Sequence, residues 1–163
     1  MRAFFDTNVW IYALTPDDPI KRGQAHRALE RADSKHSVVL STQVLLETFN
    51  VLTHKKGKTT AEALEMVQVL ATRTVSVPTV ASTLAALALA ARYRLSTWDA
   101  TMVQAALDTA CDVLFTEDLQ AGMRFGTLEV VNPFSPAVHS PAPPWPVGAL
   151  TAASSRPRRR RQT

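Results

Sequence analysis

The sequence predicts an α/β fold, a three-layer sandwich in which a mostly parallel sheet is flanked by helices. Three observations carry that expectation. Short apolar runs without polar alternation recur along the chain (RAFF, SVVL, TVSV, DVLF, TLEVV), as strands buried on both faces require. Stretches of helical periodicity separate them. Residues that start and stop helices stand at the joins.

Taken in order, residues 2–5 form the first strand, and Asp6-Thr7-Asn8 leads into a short helix over 9–14, ended by the Pro16 turn. Pro19 opens a helix through 20–32, and residues 37–40 make a second strand. Ser41 or Thr42 caps a helix over 43–55 that Gly57 stops. Thr59 or Thr60 starts a helix through Leu70, followed by a strand over 74–77 and an alanine-rich helix over 80–93 introduced by Pro78. A helix over 98–110 precedes a strand at 112–115, and residues 127–131 make the last strand. There is no internal repeat.

At 163 residues, 46% hydrophobic and with mean hydropathy −0.03, the chain fits one ordinary domain. Its longest apolar stretch, 80–91, is interrupted by Ser82 and Thr83 and stops at Arg92, too short to span a bilayer, and reads as a buried helix. The start of the chain lacks the pattern of a signal peptide, so a cytoplasmic protein is expected. Cys111 is the single cysteine, which excludes an intramolecular disulfide and a thiolate metal site; it reads as a small core residue. His26, His36, His54 and His139 show no ligand spacing.

The net charge of +4 is misleading as a nucleic-acid signal. Beyond Asn132 the formal charges are the five arginines Arg156 and Arg158 to Arg161, which leaves residues 1–132 at −1. Residues 133–163 are rich in Pro, Ala and Ser and read as a disordered tail on a folded domain of residues 1–132. The run Arg158, Arg159, Arg160, Arg161 is a candidate RNA phosphate contact, although such runs are more often solvated tails.

The acidic residues fall where an open α/β sheet binds ligands, beyond the carboxyl ends of its strands. Asp6 follows the first strand, and Asp118 follows the DVLF strand within Thr116-Glu117-Asp118. Glu47 lies in the helix after the second strand, and Asp99 begins a helix entering from the same region. Each has a structural alternative: Asp6 or Asn8 as a helix cap, Asp99 as a first-turn carboxylate, Asp118 as a turn residue. Glu47, flanked by Leu45, Leu46, Phe49 and Val51, calls for a positive partner, and none is near in sequence until Lys55 and Lys56. Converging carboxylates with no Cys or paired His point to Mg²⁺, with Mn²⁺ able to substitute, rather than zinc.

The segments FFDTNVWIYA, STQVLLETFNVLT, RLSTWDATMVQAAL and VLFTEDL resemble, in order, the four acidic motifs of the PIN-domain family. They are most similar to those of VapC-type ribonuclease toxins of toxin–antitoxin pairs, and the resemblance runs from Met1 to about Pro133. It implies that Asp6, Glu47, Asp99 and Asp118 form the catalytic, metal-binding set, with Asn8, Thr116 and, more weakly, Thr7 as supporting polar neighbours. It also implies an RNA substrate, a cognate antitoxin and a homodimer. Phosphodiester hydrolysis then needs a water nucleophile and neutralisation of growing charge, which bound Mg²⁺ supplies. Asp6 and Asp99 are the first candidates as direct ligands, Asp118 follows, and Glu47 serves as ligand or base.

Other readings separate on single residues. A dehalogenase-like phosphatase needs an acid two residues after Asp6, where Asn8 stands, and a response-receiver domain needs paired early acids and a late lysine that are not in place. A non-catalytic PIN fold serving as an RNA-binding or scaffold module is one remaining alternative. A structure-specific DNA nuclease is the other.

Overall fold

The computed structural model describes residues 1–32 and 37–135. The expectations placed on His36, on His139, on the terminal arginines and on the tail beyond Ser135 fall outside these residues. Among these residues a pair of helices separates each of the first four strands from the next, and two further strands follow: β1 (Ala3–Phe5), α1 (Thr7–Leu14), α2 (Pro19–Arg31), β2 (Val38–Ser41), α3 (Thr42–Lys55), α4 (Thr60–Leu70), β3 (Thr74–Ser76), α5 (Val80–Tyr93), α6 (Thr97–Asp108), β4 (Val113–Phe115), β5 (Arg124–Phe125) and β6 (Leu128–Val131).

The strands form one sheet in the order β3-β2-β1-β4-β6-β5, parallel throughout except for the β5–β6 pair. Strands β1, β2 and β4 are buried along their whole length, which explains their uninterrupted apolar runs. The chain adds β2 and β3 on one side of β1, then returns to place β4 on the other. Successive connections therefore leave in opposite directions between β1 and β4, opening a crevice at their carboxyl ends. Helices α1 to α4 pack on one another, while α5 packs with α6, which lies against β2, β3 and β4. Right-handed crossovers put these two groups on opposite faces.

Phe4, Phe5, Leu40, Leu114 and Phe115 fill the centre of the core. Phe5 stacks on Phe115 with ring centroids 4.9 Å apart and meets the Trp10 ring at 5.9 Å. A smaller cluster of Ile11, Leu52 and Ala63 joins α1, α3 and α4. Cys111 is buried, as a core residue should be.

Two features depart from the sequence reading. The edge strand β5 is absent from it: only two residues long, β5 is folded back on β6 by Gly126 at φ +64°, and Arg124 is exposed. Helix α5 is not buried. Only Ala86 is enclosed, while Val80, Leu84 and Leu87 are 79%, 63% and 47% exposed. The apolar count of the stretch comes largely from alanine, and it describes composition rather than coverage. No helix among the described residues is long and apolar enough to cross a membrane.

Candidate active site

The crevice between β1 and β4 holds a connected polar network. Asp6 leaves the end of β1 in extended conformation and caps α1, its Oδ1 accepting from the Thr7 backbone N–H at 2.6 Å. The other oxygen, Oδ2, accepts from Thr116 Oγ1 at 2.7 Å and from Asn8 Nδ2 at 3.0 Å. Asn8 Nδ2 also donates to Asp118 Oδ2 at 3.1 Å, so one amide group ties the two carboxylates together. Thr116, fully buried at the end of β4, donates to Asp6 and accepts from the Asp118 backbone N–H at 3.1 Å. One Asp6 oxygen thus caps α1, and the other joins the polar groups at the end of β4.

Glu47 joins from α3. Its Oε2 accepts from Thr7 Oγ1 and its Oε1 from Gln43 Nε2, each at 2.8 Å. The expectation that apolar neighbours bury Glu47 is corrected here: the residue is half-buried, because residues adjacent on a helix face different ways, and Leu46 is 68% exposed. Neutral donors, not a cation, meet its carboxylate.

Asp99 stands apart. Its Oδ2 accepts from Ser96 Oγ at 2.7 Å and its backbone N–H donates to the same hydroxyl at 3.1 Å, so the carboxylate is turned onto the start of its own helix. Among the described residues no three His, Cys, Asp or Glu side chains are grouped to hold one metal ion. The four acids of the sequence reading are therefore not brought to one point. Asp6 and Asp118 are joined through Asn8, Glu47 neighbours them through Thr7, and Asp99 makes no bond to any of them.

Burial lifts the pKa of Asp6 from 3.8 to about 6. The bonds from Thr116 and Thr7 pull it down, and the charges of Asp118 and Glu47 push it back up. No cation enters this balance. Asn8 Oδ1, on the same amide group whose Nδ2 meets the two carboxylates, is buried without a hydrogen-bond partner. An all-oxygen set, a carboxylate destabilised chiefly by burial and further by its like-charged neighbours, and an unmet oxygen fit a hard divalent cation. Two carboxylates suffice for Mg²⁺, which keeps most of its water.

Two participants escaped the sequence reading. Gln43 lies four residues before Glu47 on the same helix face, a spacing that signals such a bond. The other is Lys21, whose Nζ meets Glu117 Oε2 at 2.6 Å across 96 positions of chain; no local signal encodes it.

The PIN domain family model matches residues 3–121. The chain belongs to the PIN-domain family. Solved PIN-type folds superpose on it. VapC20 of Mycobacterium tuberculosis, described as a sarcin-ricin-loop-cleaving toxin, has TM-score 0.58 at 21% identity, covering 69% of this chain and 86% of that one. A toxin–antitoxin complex from Klebsiella pneumoniae gives 0.62 at 22%, covering 80% and 97%. VapBC2 of Rickettsia felis, bound to a promoter DNA fragment, gives 0.59 at 17%, also covering 80% and 97%. No curated sequence matches the chain significantly.

Proposed function

We propose that this PIN domain is a Mg²⁺-dependent endoribonuclease, the toxin of a type II toxin–antitoxin pair, with Mn²⁺ able to replace Mg²⁺. The observation that carries the reading is the Asp6–Asn8–Asp118 arrangement at the switch point of the sheet, with Thr116 beneath it and Glu47 beside it. Asp6 and Asp118 would hold the ion. When bound, it supplies a low-pKa water nucleophile and neutralises charge on the phosphate. Asn8 and Thr116 fix the two carboxylates at their working separation. Thr7 and Gln43 each occupy one oxygen of Glu47 and leave it a free lone pair with which to take the proton of the attacking water. Asp99 would join from the start of α6 by turning from Ser96.

The partner assignments rest on the relatives and on two surfaces. A groove of about 380 Å³, apolar along Trp10, Ala13, Leu14, Leu29, Val69 and Leu70 and bordered by His26, Glu30 and Arg73, would seat an antitoxin segment. The exposed row Val80, Leu84 and Leu87 on α5 offers a homodimer face.

The scaffold alternative has one observation on its side, the separation of Asp99 from the other acids. Thermal unfolding in chelator, Mg²⁺ and Mn²⁺, with wild type and Asp118→Asn, distinguishes the readings. A cation site stabilises the wild type by several degrees and the variant far less. A scaffold shows no cation-dependent difference, which would withdraw the enzyme reading. Parallel incubation with folded RNA and with branched DNA decides the substrate.

A further inference from the structure

Lys21, three residues into α2 from its cap Asp18, is surrounded by groups from three other parts of the chain. Its ammonium donates to Glu117 Oε2 at 2.6 Å and to the Tyr12 hydroxyl at 2.9 Å. It also lies 4.4 Å from the Tyr12 ring centre and 5.0 Å from that of Phe134, and the two rings meet edge to face at 5.0 Å. Lys21 and Glu117 are both largely covered, with side-chain exposures of 29% and 24%. An isolated surface ion pair contributes little. This one is fixed by a second hydrogen bond and two aromatic faces, and it ends on the residue preceding Asp118.

The turn Thr116–Glu117–Asp118 is thereby held at three successive residues. Thr116 is tied to Asp6, Asp118 to Asn8, and Glu117 to Lys21. The first two anchors lie inside the acidic network and the third outside it. We infer that Lys21 is a positioning residue of the site, acting through Glu117 to fix Asp118. Its charge also cancels that of Glu117, so the turn carries one uncompensated carboxylate rather than two. The Tyr12 hydroxyl and the Tyr12 and Phe134 rings hold the ammonium in place. The inference rests on the nuclease reading for its effect on catalysis, but the tether itself is measurable without any activity.

The test compares wild type, Lys21→Met, Lys21→Arg, Glu117→Gln and the double variant Lys21→Met/Glu117→Gln. Methionine keeps the apolar stem against the rings and removes the charge. Amide hydrogen exchange is read first, in chelator: the Asp118 amide, bonded to Thr116 Oγ1, should exchange about tenfold faster in Lys21→Met, while the β4 amides keep their protection. On the RNA pool with Mg²⁺, kcat should fall at least about tenfold with KM nearly unchanged, as for loss of a supporting partner of a metal ligand. Lys21→Arg should recover most of the loss, and the double variant should be no worse than Lys21→Met alone. Unchanged exchange at Asp118 would overturn the inference. So would a raised KM with weaker salt dependence and unaltered kcat, which would place Lys21 on the RNA phosphates instead. If Lys21→Met does not fold, the exchange rate at Asp118 in Glu117→Gln decides by the same criterion. A wild type that cuts nothing removes the nuclease reading, and the exchange data still decide the tether.

Discussion

Asp6 concentrates the physical conflict of the site. Its pKa of about 6 exceeds the ordinary 3.8, so the folded chain holds this proton more tightly than the unfolded chain does. The cost of folding with Asp6 ionised is absent below pH 3.8, grows between 3.8 and 6, and is constant above that. At 1.36 kcal/mol per unit it reaches at most ~3 kcal/mol. In chelator at pH 7.5, Asp6→Asn should therefore be more stable than the wild type by about 1–2 kcal/mol in urea unfolding, once the altered bonds to Thr116 and Asn8 are allowed for. That advantage should vanish by pH 4; a variant equally destabilised at both pH values would show that the Asp6 charge is not the burden. Thr116→Val should act oppositely. It removes a donor from buried Asp6 and the acceptor of the Asp118 amide, costing about 1–3 kcal/mol in the same assay and moving the Asp6 pKa further up.

At the scale of elements, α5 separates composition from environment. Its apolar row is exposed in one chain, and the homodimer assignment gives that row a cover. Leu84→Glu should convert a dimer to a monomer in sedimentation with an unchanged circular dichroism spectrum; a variant that stays dimeric would move the interface elsewhere. The central strands were legible because burial on both faces leaves an uninterrupted apolar run, as in Phe4, Phe5, Val39 and Leu114. Strand β5 was not, since two residues with an exposed Arg124 carry no period, and their pairing depends on the backbone of Gly126. In the site, the grouping of Asp6 with Asp118 followed from two strands ending side by side. The contact between Lys21 and Glu117 has no such signature, because only the packing of α2 on α1 brings the lysine to the turn after β4. Asp99 shows the opposite limit: a first-turn carboxylate satisfies its own helix and a site equally well in sequence, and here it bonds Ser96.

Over the whole molecule, charge and chemistry are divided. The acidic crevice belongs to the domain, and the excess positive charge to the arginines at 156 and 158–161. If those arginines meet RNA phosphates, removing residues 136–163 should flatten the salt dependence of RNA binding by up to about 3–4 in log–log slope, with cleavage chemistry retained. An unchanged slope would leave them as solvated charge. The fold, by contrast, brings remote acids to one crevice by reversing its connection direction between β1 and β4, and it is there that the proposed activity resides. The most direct test is cleavage of a folded RNA pool by the wild type and by Asp6→Asn, with Mg²⁺ and with chelator, after equal folding is confirmed. The account predicts Mg²⁺-dependent cutting by the wild type that falls by more than about a hundredfold in the variant, while the variant stays folded. Full cutting by Asp6→Asn, or wild-type cutting that survives the chelator, would contradict it.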